Sequence, residues 1–169
     1  YIGYEYGLTV EAALLAIYSG FLVVIFMIDL ERGLILNRVI FPATLLALAL
    51  SFLRPDTISE GTIEVFWRSM AGGGIAFGTL LGIYLLARGG LGEGDVKLAA
   101  FVGLVSGFPV VVTTLLASFV GGGLVGVFLL TTRIRSRKQA VPFGPFLALS
   151  TLAHLLWGQD IYDWYIGLF

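Results

Sequence analysis

The sequence predicts an all-α membrane protein, a polytopic bundle of about six transmembrane helices whose short fourth helix follows a glycine-rich re-entrant loop. Two observations support this fold class. Hydrophobic residues make up 58% of the 169 residues and charged residues only 12%, whereas a soluble domain carries about 25% charged residues. The apolar residues also fall into runs, most of them close to the roughly 20 residues that a helix needs to cross a bilayer.

Six apolar runs follow one another along the chain, separated by charged residues, glycine or proline. Gly33 is predicted to terminate the first helix, because glycine readily adopts the left-handed conformation found there. Residues 57–68 are interpreted as a polar loop, with or without an amphipathic turn, and the aromatic ends 1–7 and 158–169 as interfacial segments. The predicted spans are residues 8–28, 35–53, 70–87, 95–107, a fifth that follows Gly107-Phe108-Pro109 to about residue 132, and 141–157.

The basic residues divide unevenly between the two sides of this six-span arrangement. Cytoplasmic loops of membrane proteins carry an excess of Lys and Arg. The distribution therefore places Asp29 and Asp95 on the cytoplasmic side of the plasma (inner) membrane and both termini outside. Arg54 and Arg68 lie on the other side, and the side with the two aspartates holds eight of the 10 basic residues, namely Arg32, Arg38, Arg88, Lys97, Arg133, Arg135, Arg137 and Lys138.

The fourth span is too short to cross a bilayer. Its 12 residues from Val96 to Gly107 rise about 18 Å as a helix, against a hydrocarbon core of roughly 30 Å. The loop Gly90-Leu91-Gly92-Glu93-Gly94 would then dip below the cytoplasmic surface, where irregular backbone is tolerated only inside protein or beside a wet cavity. Two simpler readings remain open: a flexible turn ending in an acidic helix start, and a tilted helix that continues through Pro109.

Small residues recur at every fourth position in three of the spans. Such patterns let helix backbones pack closely in lipid, and we expect packing faces there. The three predicted faces are Gly74, Gly78 and Gly82 in the third span, Ala99, Gly103 and Gly107 in the fourth, and Ser118, Gly122 and Gly126 in the fifth.

Asp29 and Asp95 are the charged residues nearest to the spans. Two carboxyls that lie close together share one proton, because both cannot ionise easily. The ionised group can then take a proton from water and the protonated group can donate to a peptide carbonyl oxygen. This chemistry needs no metal or cofactor. The simpler alternative is that each Asp caps a helix end.

Composition excludes several other classes of site. The chain has no Cys and one His, His154, so it offers no Cys- or His-based metal site. We expect His154 to be a packed polar residue of the sixth span. The net charge of −1 does not suit nucleic acid, which calls for a basic patch.

Three motifs resemble those of the prepilin peptidases, the type IV leader peptidases, and occur in the family's order. Gly92-Glu93-Gly94-Asp95, followed by Val96-Lys97, resembles the G-x-G-D signature. Asp29-Leu30-Glu31, with Ile35 and Asn37 beyond it, is similar to the first catalytic segment. The third is the segment that opens the last span, Val141-Pro142-Phe143-Gly144-Pro145.

The resemblance implies an aspartic endopeptidase with Asp29 and Asp95 as its catalytic pair. It implies that Gly92 and Gly94 shape the loop, and that Pro142 and Gly144 support the site. The substrate would be a type IV pilin-like precursor, of the type IV pilus or type II secretion systems, cut after its short basic leader at the cytoplasmic face of the bilayer.

Two charged residues of the loop are weaker candidates for a supporting role. Glu93 is a candidate for attracting the basic leader, although a solvated loop acid is the simpler reading. Lys97 lies two positions from Asp95 and does not face it on a helix, so we expect its ammonium to snorkel to the interface.

Two departures from the family pattern are visible. Leu36 stands where the family usually has Pro. No segment matches the Cys-pair and methyltransferase part of many bacterial members. Two readings stay open, a peptidase-only member of the family or a piece of a longer protein. In either case we expect residues 1–169 to form a single transmembrane peptidase domain.

Other functional classes remain as alternatives. The presenilin branch of G-x-G-D proteases carries Pro-Ala-Leu-Pro, which differs from Pro142-Phe143-Gly144-Pro145. A small proton-coupled transporter would use the same two aspartates as a relay, but no inverted repeat is visible. A scaffold or assembly role is the third.

Overall fold

The computed structural model describes residues 10–53, 61–87, 91–132 and 142–166, and over these residues every regular element is a helix. A short 3-10 turn, Ser51–Leu53, follows the second helix. The six α-helices, numbered in chain order, are α1 (Val10–Arg32), α2 (Asn37–Leu50), α3 (Thr62–Ala87), α4 (Glu93–Ser106), α5 (Val110–Thr131) and α6 (Gly144–Ile166). The predicted all-α fold with six helices is confirmed.

Three helices are long and apolar enough to cross a membrane by themselves, over residues 12–32, 62–86 and 110–129. Helix α2 is apolar but has 14 residues. The protein is a polytopic helical membrane bundle. Predictions for the leading residues 1–7, for Gly90 and for the basic residues Arg54, Arg88 and 133–138 lie outside the described residues.

One predicted boundary was wrong. Helix α3 starts at Thr62, within the predicted polar loop, because Val65 is buried and Phe66 stacks on Phe52 with ring centroids 4.7 Å apart. Helix α6 has a kink at Trp157, where the last span was predicted to end, and the residues that follow are helical as far as Ile166. Their position in the membrane interface stays a prediction.

Helix α4 is the centre of the bundle. It packs against α2, α3, α5 and α6, and the aromatic rings of Tyr18 and Phe21 on α1 meet the ring of Phe101 edge-on. Leu98, Phe101 and Val102 are completely buried. A helix that is apolar on all sides belongs in such a core. Its 14 residues span about 21 Å, which confirms the short fourth helix.

The C-terminal end of α4 is closed by glycine. Gly107 has a φ of +70° and donates its N–H to the carbonyl oxygen of Gly103 at 2.8 Å. The next residue, Phe108, donates its N–H to the carbonyl oxygen of Arg68 at 3.0 Å. The alternative of one tilted helix through Pro109 is therefore wrong.

Helices α3 and α4 run antiparallel with their backbones in close contact through glycines. A Cβ on Gly72 would lie 2.8 Å from the Cα of Gly107, and one on Gly103 would lie 2.8 Å from the Cα of Gly73. The predicted face on α4 is confirmed, since Ala99 is also fully buried.

The predicted face on α3 was wrong. A Cβ added to Gly74, Gly78 or Gly82 would meet no atom of the described residues within 4 Å. The buried positions of α3 are Val65, Ser69, Gly72, Gly73, Ala76 and Leu80. At about 100° per residue, Gly74 lies some 200° around the helix from Gly72, on the opposite side.

Helices α5 and α6 also run antiparallel and share a polar seam. The hydroxyls of Ser118 and Ser150 are hydrogen-bonded, and His154 Nε2 lies 3.0 Å from Thr113 Oγ1. The expectation for His154 is confirmed. Gly122 packs on the ring of Phe143, whereas a Cβ on Gly126 would meet open space, so the predicted face on α5 is confirmed only in its first half.

Candidate active site

The fold brings Asp29 and Asp95 together at one end of the bundle. Asp29 lies in the last turn of α1 and Asp95 is the third residue of α4. Their side chains are 2% and 7% exposed, and the two carboxyls are close enough to interact electrostatically. Burying one carboxylate without a charge partner is costly, and burying two side by side is more so. Such a pair marks a specialised site.

The carboxyl of Asp95 is held by backbone donors. Its Oδ2 accepts the N–H of Gly92 at 3.2 Å, and the backbone N–H of Gly144 lies near enough to stabilise its negative charge. Gly92 has extended dihedral angles, φ −76° and ψ 143°, where α4 begins. The start of a helix favours negative charge. Asp95 therefore caps its own helix, as the simpler alternative predicted. It also lies near the backbone N–H of Gly144, which belongs to α6.

Asp29 does not cap a helix. Its Oδ2 is buried and has no hydrogen-bond partner among the described residues. The same oxygen lies against Gly144, where an added Cβ would overlap it. Gly144 is therefore in contact with both carboxyls, and the absence of its side chain leaves the space in which they meet.

Ile35 fills the remaining space between the helix starts. A Cβ on Gly94 would lie 2.8 Å from the Cβ of Ile35, and a Cβ on Gly144 would lie 3.2 Å from its Cδ1. The half-buried side chain of Ile35 thus joins the loop after α1 to the starts of α4 and α6. The close contact with Ile35 therefore requires glycine at both Gly94 and Gly144.

Lys97 links Glu93 and Asn37 at the exposed edge of the site, which we call its rim. Its Nζ donates to Glu93 Oε1 at 2.6 Å and to Asn37 Oδ1 at 3.1 Å, and it lies 5.8 Å from the ring centroid of Phe41. The ammonium therefore lies at the edge of the site between these two acceptors, and its position at the membrane interface stays a prediction. Glu93 is the first residue of α4 and is paired, so it is not a free loop acid.

Sequence reasoning identified some of these residues and missed the function of others. The two aspartates and the glycine loop followed from the motif. The contact of Gly144 with Asp29 and the position of Ile35 did not, because residues so far apart in sequence meet only through helix packing. Pro142, also expected to support the site, is half-buried two positions before Gly144. Within the described ranges, His, Cys, Asp and Glu side chains form no group of three that would hold a metal ion.

Comparison with known proteins identifies the family. The family model described as the type IV leader peptidase family matches residues 16–127, a stretch that includes both aspartates. The chain belongs to this family. The matched stretch ends before α6, so this match does not include Gly144.

Curated relatives cover nearly all of this type IV leader peptidase family member. A prepilin leader peptidase/N-methyltransferase of Pseudomonas putida is 33% identical over 95% of the chain and 55% of its own length. Proteins of that name are 32% identical in Legionella pneumophila, over 99% of the chain and 58% of the relative, and 26% identical in Bacillus subtilis (strain 168), over 98% and 64%.

The chain spans about half the length of the curated relatives it matches. No solved structure matches the chain.

Proposed function

We propose that the protein is a membrane aspartic endopeptidase that removes the leader from type IV pilin-like precursors. Asp29 and Asp95 are its catalytic pair. The observation that carries this proposal is the meeting of the two buried carboxyls beside Gly144. Family membership supports the reaction class, and the relatives' name, prepilin leader peptidase, supports the substrate.

The surroundings of the two carboxyls favour different roles for them. Asp95 accepts the N–H of Gly92 at the start of α4 and lies near the backbone N–H of Gly144 at the start of α6, and such donors stabilise the ionised form of a carboxyl. Asp29 Oδ2 lacks a partner among the described residues, which leaves it available to a water molecule or a substrate carbonyl. We assign the shared negative charge to Asp95 and the shared proton to Asp29.

Hydrolysis then proceeds by general acid–base catalysis. Asp95 removes a proton from a water molecule as its oxygen attacks the scissile carbonyl carbon, and Asp29 donates its proton to the carbonyl oxygen. The tetrahedral intermediate collapses when the amine nitrogen of the leaving segment is protonated by Asp95 and Asp29 recovers its proton from the hydroxyl. The pair returns to its starting state, and one water molecule is consumed for each peptide bond.

The pair is proposed to face the cytoplasm. Among the described residues, Arg32, Arg38 and Lys97 belong to the end of the bundle that holds the carboxyls, and Arg68 belongs to the other end. This agrees with the division of eight basic residues against two in the whole sequence and with the positive-inside rule. The leader of the precursor would thus be cut in the cytoplasmic half of the plasma membrane.

Neutralising either aspartate tests the proposal. The purified protein in detergent is incubated with a pilin-like precursor, and the product is sized by mass spectrometry. Asp29→Asn and Asp95→Asn should each abolish cleavage, because Asn can neither give nor take the shared proton. The double variant should lose little more, since residues that act as a unit are not additive.

A matched control separates chemistry from folding. Glu64→Gln neutralises an exposed carboxylate near the start of α3, at the other end of the bundle, and should cleave at the wild-type rate. Each Asn variant should keep the wild-type helical content, since removing a buried charge carries no penalty. Normal cleavage by folded Asp95→Asn protein would exclude the catalytic pair. Proton transport into vesicles that either Asn change abolishes would then support the transporter alternative.

A further inference from the structure

Residues 33–36 join α1 to α2 beside the two carboxyls. Helix α1 ends at Arg32, three residues after Asp29, and the next residue, Gly33, has a φ of +61° and donates its N–H to the Asp29 carbonyl oxygen at 2.8 Å. Leu36 has extended dihedral angles, φ −73° and ψ 122°, immediately before α2. The chain therefore turns at Gly33 and is extended at Leu36, with no helical residue between them.

Ile35 anchors this segment to the site. Its side chain lies against Gly94 and Gly144, as described above, while the neighbouring side chains point away and are exposed, Leu34 by 62% and Leu36 by 38%. Side chains that alternate between a buried and an exposed face are typical of a β-strand. Gly144 contacts both the Ile35 side chain and Asp29 Oδ2. Ile35 therefore holds the segment close to Asp29 Oδ2.

The backbone of the segment has unused hydrogen-bonding groups. Within the part of the chain that the structure describes, the N–H and C=O groups of Leu34 and Ile35 pair with no other residue. A strand with unpaired backbone groups can accept another extended chain alongside it, which is β-augmentation.

We propose that residues 33–36 are the docking strand for the substrate, and this inference rests on the proposed function. The occupant is the extended stretch of the precursor that flanks the scissile bond. A helical substrate would keep its carbonyls in i to i−4 hydrogen bonds, so the bond to be cut must unwind before water and two carboxyls can reach it. Pairing with the 33–36 segment replaces the lost hydrogen bonds and places the extended backbone next to Asp29.

An N-methyl scan of the substrate tests the docking strand. A series of precursor peptides carries one N-methyl amino acid at each position on both sides of the scissile bond, and KM and kcat are measured with the wild-type enzyme. Because alternate residues of a strand point their N–H groups to opposite edges and the segment has only four residues, N-methylation should raise KM at no more than two positions near the scissile bond, spaced two residues apart. The expected rise is roughly three- to tenfold for each hydrogen bond lost, with the intervening positions within twofold of the unmodified peptide.

A second experiment changes the enzyme at Ile35, the residue that anchors the segment. Ile35→Ala frees the segment from Gly94 and Gly144, so it should raise KM for the unmodified peptide and flatten the alternating pattern. The matched control is Leu45→Ala, which truncates an exposed apolar side chain in α2 and should keep both KM and the pattern. A purely structural role for Ile35 would slow all peptides by one common factor and leave the pattern intact.

The outcomes separate this proposal from the proposed function. Cleavage of the unmodified precursor by the wild-type enzyme supports the peptidase whatever the scan gives. A scan without alternation, or an alternation that survives unchanged in Ile35→Ala, would overturn the docking strand alone. An alternating KM pattern that Ile35→Ala removes would establish it.

Discussion

Substituting Gly144 with Ala should disable the catalytic pair with little loss of fold. The added Cβ would overlap Asp29 Oδ2. It would also lie 3.2 Å from both the Asp29 Cγ and the Ile35 Cδ1, which is shorter than ordinary van der Waals contact at 3.4 Å or more. Relief of this overlap moves the Asp29 carboxyl by about 1 Å, a misplacement that can cost roughly 10²-fold in rate. This corresponds to about 2.7 kcal/mol of transition-state stabilisation.

The assay compares kcat for precursor cleavage with the thermal unfolding of the same preparation. Gly123→Ala is the matched control, because a Cβ there meets no described atom within 4 Å and Ala stabilises a helix interior by about 0.8–1 kcal/mol relative to Gly. The control should keep kcat and melt at the same or a higher temperature. Folded Gly144→Ala protein with wild-type kcat would refute the contact between Gly144 and the catalytic pair.

Three further predictions concern packing, orientation and the rim of the site. Gly103→Ala places a Cβ 2.6 Å from the carbonyl carbon of Gly72 and should destabilise the bundle by about 1–3 kcal/mol, whereas Gly78→Ala should be neutral or stabilising in the same melting experiment. A cysteine introduced at Arg38 should react with a membrane-impermeant thiol reagent only in opened cells, and one at Glu64 also in intact cells; reversed labelling would invert the proposed orientation. Lys97→Ala should lower stability by less than about 1 kcal/mol, because its ion pair is partly solvated, and a larger loss would mean that the pair organises the site.

The order and approximate extent of the helices could be predicted from the sequence because bilayer-length apolar runs are a strong signal. The break after α4 was equally accessible, since Gly107 followed by Phe108-Pro109 cannot continue a helix without strain. The early start of α3 was missed, because residues 62–68 mix polar, aliphatic and aromatic side chains without a long apolar run. Their helical state depends on the stacking of Phe66 on Phe52, a contact that local sequence does not reveal.

The rotational orientation of each helix was harder to predict than its existence. Gly72, Gly73 and Gly74 are consecutive, and periodicity alone allows either of two faces to be the packing face. The choice of Gly74, Gly78 and Gly82 was wrong, because α4 approaches Gly72 and Gly73 instead. What decides between the faces is the partner helix, whose own glycines, Gly103 and Gly107, were predicted correctly.

The candidate site could be predicted as a list of residues and not as a geometry. The short fourth span and its glycines indicated that Asp95 lies at depth, and the motif order placed Asp29 with it. Which backbone groups would hold each carboxyl was not accessible, because Gly92 is local to Asp95 whereas Gly144 lies 49 positions further along the chain. The different surroundings of the two aspartates, and hence their proposed roles, depend on that distant residue.

The shortness of α4 has a chemical consequence. A helix of about 20 residues centred in the bilayer would place its first turn at the aqueous boundary, where water would solvate the carboxyl of Asp95. With 14 residues, α4 can begin inside the bundle, so that its free N–H groups and positive dipole end act where screening by water is weak. The neighbouring glycines then admit Asp29 and Ile35 to the same volume. A buried helix start is thus the means by which the proposed catalytic pair would keep one negative charge and one transferable proton away from bulk water.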